Sequence, residues 1–139
     1  MTLGTEVAST SGTSIDFTGL PSGVRSIIIN FVGVSTNGTS ALQVQLGDSG
    51  GFETSGYNGA TSVTSTGVAT SNHSAGFLLD AGSPVATNIR DGSIVLTLED
   101  SSDNTWAAYI AIGRNESASA TYGAGTKALS ATLSQVRIT

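Results

Sequence analysis

The sequence predicts an all-β protein, an antiparallel β-sandwich with a jelly-roll-like arrangement of strands. Short segments that alternate apolar and polar residues recur at intervals of about ten residues, and turn-forming residues separate them. No apolar pattern with the 3.6-residue period of a helix continues over three turns. Threonine (19 residues) and serine (21 residues) are abundant, whereas charged residues make up only 11% of the chain. Together with the frequent Val and Ile, this composition favours strands and turns over helices.

The first strand is predicted over residues 14–18. Ile15 and Phe17 lie on one face of it, because side chains alternate between the two faces of a strand. A turn over Leu20–Gly23 follows, since proline at its second position and glycine at its fourth are typical of a type I turn.

The second predicted strand, Arg25–Val34, is apolar on both faces. Such a strand is covered on both sides, so it is either central in a sheet or part of a subunit interface. After it, Asn37–Gly38 predicts a hairpin to the cleanly alternating segment Leu42–Leu46.

Residues 47–75 are polar and glycine-rich, and the sequence predicts only short strands there, near residues 56–57 and 62–66. Residues 76–80 predict another strand. The alternating segment at residues 94–98 and the one at residues 106–112 flank a turn rich in Asp and Ser, which predicts a second hairpin.

The last predicted strand covers residues 127–139 and contains a change of parity. Leu129 and Leu133 lie on one face, whereas Val136 and Ile138 lie on the other, which predicts a β-bulge near Ser134–Gln135. Seven to nine strands are expected in all. They form a single domain over residues 1–139, in which residues 1–12 are a short leader.

The charge balance argues against two classes of function. The net charge is −5, and the five Lys and Arg residues are scattered singly, whereas nucleic-acid binding requires clustered cations. No apolar run approaches the length of a membrane-spanning helix, and the start of the chain lacks the pattern of a signal peptide. The sequence contains no cysteine, which excludes disulfides and thiolate chemistry.

Polar residues that could support catalysis have simpler explanations. His73 is the only histidine, and a position in a surface loop is the better interpretation than a serine hydrolase triad. The carboxylates occur in two groups that also fit turn chemistry, and neither group matches a calcium-binding loop: Asp48 with Glu53, and Glu99 with Asp100 and Asp103. We therefore predict no enzymatic activity, no metal site and no cofactor.

Aromatic residues identify a candidate binding surface. Trp106 shares its parity with Ile110 and Ile112, which predicts a core position. Tyr57 and Tyr122 occur in glycine-rich segments, so we predict that Tyr57, Asn58 and Tyr122 contribute to a binding surface where aromatic rings stack on sugars.

The apolar strand Arg25–Val34 identifies a candidate oligomer interface. In a two-sheet sandwich, Ile28 and Val32 would be exposed beside Asn30, and Tyr109 makes a comparable weakly polar outer face on another strand. An apolar patch in a chain with so few charges predicts self-association. A loop from residues 47–75 that covers the patch is the alternative.

Five segments in order carry a resemblance that spans nearly the whole chain. They are Thr10–Arg25, Gly33–Ser40, Val44–Gly51, Ser93–Leu98 and Ala128–Leu133. The sequence thus resembles a module found in virion proteins of tailed bacteriophages, which often ends a longer chain. Here the module stands behind a short leader, which favours a capsid decoration, and similar chains continue past Val136–Thr139 with another strand.

The resemblance implies a non-enzymatic structural protein that projects from the phage particle, as a tail fibre or a capsid decoration. It implies a homotrimer located in the virion, with other virion proteins and a host surface glycan as partners, and it transfers no catalytic residue. The alternative function is a carbohydrate-binding module of a secreted or cell-surface protein, which uses the same sandwich.

Overall fold

The structure is a computed structural model that describes residues 1–81, 84–115 and 118–139, and it consists of two antiparallel sheets packed against each other. The smaller sheet contains β1 (Ile15–Thr18), β3 (Gln43–Asp48), β4 (Gly51–Phe52), β7 (Phe77–Leu78) and β11 (Gln135–Ile138). The larger sheet contains β2 (Ser26–Val34), β5 (Asn58–Thr64), β6 (Val68–Asn72), β8 (Arg90–Asp100), β9 (Thr105–Arg114) and β10 (Ser119–Ala128). The predicted all-β sandwich is confirmed.

The two sheets differ in width. The larger sheet is six strands wide, in the order β2-β8-β9-β10-β5-β6. The smaller sheet runs β1-β11-β3, and both β4 and β7 pair with β3. Residues 1–13 precede β1, are exposed, and contain no strand. No helix in the described part of the chain has the length and apolarity to cross a membrane.

The core lies between the sheets and follows the parity that the sequence predicts. The alternating segments supply the buried residues Leu42, Val44, Leu46, Ile94, Leu96, Ile110 and Ile112, and Trp106 is buried with them. Leu98 is only partly buried, because it lies near the end of β8, where the register with β9 shifts. Side chains from both sheets meet here, as alternation along each strand requires.

The second strand differs from its prediction in position and in partner. β2 is an edge strand of the larger sheet, so of the two predicted alternatives the central position is wrong, and the position in a subunit interface stays a prediction. It pairs with β8, whereas β3 belongs to the smaller sheet, so Asn37–Gly38 is not the turn of a hairpin between β2 and β3. A turn dipeptide lets the chain change direction, but the hydrogen-bond partner of each strand depends on distant residues. The segment between β2 and β3 therefore connects the two sheets.

The C-terminal region contains two strands in different sheets, so the single bulged strand predicted there is wrong. β10 ends at Ala128 in the larger sheet, and β11 begins at Gln135 in the smaller one. Leu129 and Leu133 are buried in the connection between them. The parity of the apolar residues changes because the chain crosses the core from one sheet to the other, and no bulge is needed to explain it.

Two regions contain more strand than the sequence predicts, and eleven strands are described in all. The hairpin of β5 with β6 falls in the polar region that predicted only short strands, and β10 covers the glycine-rich segment around Tyr122, where no strand is predicted. β10 consists of Ser, Ala, Thr and Gly apart from Tyr122 and Lys127, and it pairs with β9 on one side and β5 on the other. Its pairing partners therefore determine its structure more than its own strand propensity does. The predicted hairpin of β8 with β9 is confirmed.

Candidate functional site

The outer face of the larger sheet is the candidate functional site, because it is broad and its central rows carry no charge. The strand register aligns two adjacent rows of outward residues across all six strands. One row is Ile28, Val95, Tyr109, Ala124, Ala60 and Asn72. The next is Asn30, Ser93, Ala111, Tyr122, Ser62 and Thr70. We call these two rows the uncharged face.

The structure brings together most of the residues that the sequence predicts for binding and for self-association. Tyr109 is 59% exposed and Tyr122 is 53% exposed, and they occupy diagonal positions on the neighbouring strands β9 and β10. Ile28 is 48% exposed in the first row. Asn58 is exposed one row further on, opposite Thr126. The two residue sets that the sequence treats as separate sites thus share one surface.

Val32 is the most exposed of the predicted interface residues, at 83%. It lies near the end of β2, where the register with β8 shifts between Phe31 and Val34. Gly33 adopts a positive φ of 65° within this irregularity and donates a backbone hydrogen bond to the Asp91 carboxylate. The bulge thus projects an apolar side chain beyond the regular part of the sheet edge.

Tyr57 does not belong to the binding surface predicted for it, because the core buries its ring to 4% exposure. Its hydroxyl accepts a hydrogen bond from the Leu46 backbone at 2.7 Å and donates one to the Glu53 carbonyl at 3.0 Å. The ring meets Phe77 edge-on, with 5.0 Å between centroids. Burial raises the pKa of Tyr57 to about 12. A ring held this way cannot stack on a sugar, so Tyr57 is a structural residue.

His73 is buried at 5% exposure, so the predicted surface-loop position is wrong. It follows β6, and its Nδ1 atom accepts a hydrogen bond from the Leu78 backbone at 3.1 Å. The imidazole fits against β10 because Gly125 has no side chain there; a Cβ at Gly125 would lie 2.7 Å from the ring. Its described hydrogen bond is to the backbone, so the geometry ties β6 to β7 and assembles no catalytic triad.

His73 predicts a pH dependence of stability, because burial lowers the pKa of its imidazole below the ordinary value of 6.5. As the pH falls below 6.5, the unfolded chain binds the proton first, so the free energy of unfolding decreases until the pH reaches the folded-state pKa. Urea unfolding at pH 7.5 and 5.5 measures this decrease. His73→Gln, which does not titrate, should reduce it, and an equal decrease in both proteins would contradict the prediction.

Asp48 and Glu53 meet at one end of the sandwich, where both bind Ser130. Asp48 accepts hydrogen bonds from the Ser130 hydroxyl at 2.6 Å and the Gly50 backbone at 2.7 Å, and these bonds lower the pKa of its carboxyl. Burial opposes the same effect at Glu53, but hydrogen bonds from Lys127 and Ser130 outweigh it and lower the pKa of Glu53 as well. Both carboxylates accept hydrogen bonds from Ser130, so they link the β3–β4 hairpin to the connection between β10 and β11.

The second carboxylate group has the turn role that the sequence predicts. Asp100 accepts hydrogen bonds from the backbone and hydroxyl of Ser102, each at 2.7 Å. Asp103 accepts them from the backbone and hydroxyl of Thr105, at 3.0 and 2.5 Å. These bonds to residues two positions further on shape the turn between β8 and β9. Across residues 1–81, 84–115 and 118–139, no group of His, Asp or Glu side chains is arranged to hold a metal ion.

One buried polar cluster has no counterpart in the sequence analysis. Asp80 and Arg90 have fully buried side chains, and the Arg90 Nε atom donates to the Asp80 carboxylate at 2.5 Å. Arg114 lies 3.7 Å from the other carboxylate oxygen, and the Asn88 carbonyl accepts from Arg90 at 2.9 Å. The sequence contains a signal for this cluster, because Arg90 has the same parity as the core residues Ile94 and Leu96 of its strand. Such a position predicts a buried charge that needs a partner.

Comparisons with protein-family models, curated proteins and solved structures give no match to this chain. Function is therefore inferred from the residues, their geometry and the resemblance seen in the sequence. The uncharged face exposes Ile28, Tyr109 and Tyr122, whereas most of the ionisable side chains described above form contacts within the sandwich.

Proposed function

We propose that this protein is a non-enzymatic structural subunit of a bacteriophage virion that self-associates, as a trimer, through the uncharged face. The observation that carries the proposal is the composition of that face, in which two exposed tyrosines and Ile28 stand among small neutral residues. The resemblance to virion modules of tailed phages supports the location, as a tail fibre or a capsid decoration that contacts other virion proteins.

The size of the uncharged face supports a role in assembly. The two rows cross six strands, and five inter-strand spacings of about 4.8 Å make them about 24 Å long across the sheet. Around a three-fold axis, different parts of this neutral face on neighbouring copies would meet, and no like charges would oppose each other across the contact.

The ionisable groups support a non-enzymatic role. A general acid or base at neutral pH needs a pKa near 7, whereas hydrogen bonds hold the pKa values of Asp48 and Glu53 below their ordinary range. Four of the five cations form ion pairs within the chain: Arg90, Arg114, Lys127 and Arg137. These groups stabilise a framework and leave few charges to bind a substrate.

Self-association predicts a trimeric mass for the protein at micromolar concentration in light scattering. Tyr109→Asp places a charge in the middle of the uncharged face, so it should shift the mass to that of the monomer. Thr18→Asp adds the same charge at an exposed position on the smaller sheet and should leave the trimer intact. A monomeric wild-type protein, or a trimer that Tyr109→Asp does not affect, would refute this interface.

The location in the virion is tested on particles of the phage that encodes the protein. Purified particles should contain the chain when analysed by mass spectrometry, and antibodies against it should label the head or the tail in electron micrographs. Particles that lack the chain would overturn the virion assignment.

A carbohydrate-binding module is the second candidate, and the positions of Tyr109 and Tyr122 favour it. Two exposed rings in diagonal positions on neighbouring strands can stack on successive sugars, and Asn58 lies on the same surface. A glycan array probed with the protein separates the two functions. A monomer that binds a glycan and loses binding on Tyr122→Ala would favour this candidate, whereas a trimer without glycan binding would exclude it.

A further inference from the structure

The edge strand β2 has the properties of a surface that receives another strand. It is nine residues long, and none of its residues is charged or proline. β8 pairs with one side of it, and no described residue outside β8 pairs with the other side. Edge strands normally carry charges, prolines or a cover that prevents such pairing. The shorter edge strand β1, in contrast, carries Asp16 in an ion pair with Arg137.

The side chains of β2 indicate that the sandwich is incomplete at this edge. Ile27 and Ile29 point inward and pack against the core, yet both remain partly exposed. On the outer side, Ile28 is 48% exposed and Val32 is 83% exposed. One additional strand beside β2 would cover apolar side chains on both faces at once. This explains why the sequence of β2 is apolar on both faces although the strand is not central.

Residues 1–8 have the pattern and length of such a strand. Met1, Leu3 and Val7 share one parity and are exposed at 113%, 94% and 49%, and Glu6, of the other parity, is the only charged side chain. No described hydrogen bond or ion pair involves this segment, which lies outside every strand. Extended, its eight residues span about 26 Å, and the nine residues of β2 span about 30 Å.

We propose that residues 1–8 of one copy add as a strand to the free edge of β2 in a neighbouring copy. The proposal rests on the self-association proposed above and names a second contact that holds the copies together. In an antiparallel register with Gly4 outward beside Asn30, Val7 would point inward beside Ile27, and Leu3 would point inward beside Phe31. The contact joins two different surfaces, and head-to-tail contacts of this kind close into rings such as a trimer.

Disulfide trapping tests the proposal directly, because the sequence contains no cysteine. A Gly4→Cys chain and an Asn30→Cys chain are refolded together and oxidised, and their mixed dimer is identified by mass. A side chain at Gly4 meets no atom within 4 Å. Thr70→Cys is the matched control, since Thr70 lies in the same row as Asn30 but at the opposite edge of the sheet.

We expect the Gly4–Asn30 disulfide to form in preference to a Gly4–Thr70 disulfide. Efficient self-crosslinking of the Asn30→Cys chain without the mixed product would mean that two β2 edges pair with each other, which would overturn the proposal. A trimer that forms neither disulfide would overturn it too, while leaving the proposed self-association intact. A monomeric mass would overturn both.

Charge substitutions in the full chain provide a second measurement. Leu3→Glu combined with Val7→Glu places charges on the side that would enter the core, so dissociation should occur at concentrations about tenfold higher or more. Thr2→Glu combined with Ala8→Glu adds the same charge to the outward side and should change association much less. Equal effects of the two pairs would contradict the predicted orientation of the strand.

Discussion

Replacing Asp80 by alanine is expected to lower the free energy of unfolding by about 3–5 kcal/mol, as removal of one partner from a buried ion pair does. The side chains of Asp80 and Arg90 are both fully buried, and Arg114 also approaches the Asp80 carboxylate. Without Asp80, the Arg90 guanidinium would stay in the core without the carboxylate that balances its charge. The size of the effect therefore comes from the uncompensated charge left behind, more than from the attraction that is lost.

Urea unfolding of both proteins measures the effect of Asp80→Ala, and Asp16→Ala is the matched control. Asp16 pairs with Arg137, but these side chains are 34% and 32% exposed, so its removal should cost less than about 1 kcal/mol. If Asp80→Ala does not fold, Asp80→Asn keeps a hydrogen-bond acceptor for Arg90 and should give a measurable, smaller loss. Similar losses for Asp80→Asn and Asp16→Ala would contradict the structural importance of the buried cluster.

Leu96→Ala is expected to destabilise the protein by about 2–5 kcal/mol, the range for removing a buried leucine side chain. Leu96 is fully buried between the sheets, in the middle of β8. The rigid strands around it can close the resulting cavity only in part, so the loss includes the empty volume as well as the transfer of apolar atoms.

Leu98→Ala is the control for Leu96→Ala, because Leu98 lies two residues further along the same strand with the same orientation. It is only partly buried, so the same truncation should cost less. Chemical unfolding of the two variants decides the matter. A loss near zero for Leu96→Ala, or a larger loss for Leu98→Ala, would mean that the inward face of β8 is assigned incorrectly.

Alternation of apolar and polar residues was enough to predict the fold class and most of the core. Ile94, Leu96, Ile110 and Ile112 lie on the inward faces of β8 and β9 as their parity indicates. The turn between these strands was also predictable, because Asp100 forms its hydrogen bonds with residues two positions away. Each of these features depends on residues that are close in the sequence.

The sequence predicted single residues of the candidate site, but it did not predict that they share one surface. Ile28, Tyr109 and Tyr122 were each identified, but nothing local indicates that β2, β9 and β10 belong to the same sheet. The prediction for Tyr57 was wrong: its glycine-rich surroundings suggest exposure, whereas the ring is buried and contacts Leu46 and Phe77 of the smaller sheet. Whether an aromatic ring in such a segment is exposed depends on what the rest of the chain places beside it.

The sequence by itself determined that this chain forms strands, which faces of the main strands turn inward, and where the turn between β8 and β9 lies. These properties follow from a two-residue period and from short-range hydrogen bonds. Only the tertiary structure decided that β2 is an edge strand, that Asp80 neutralises Arg90, and that the chain crosses between sheets after β10. Those outcomes depend on pairings between residues far apart in the sequence, and alternation along one strand contains no information about its neighbour.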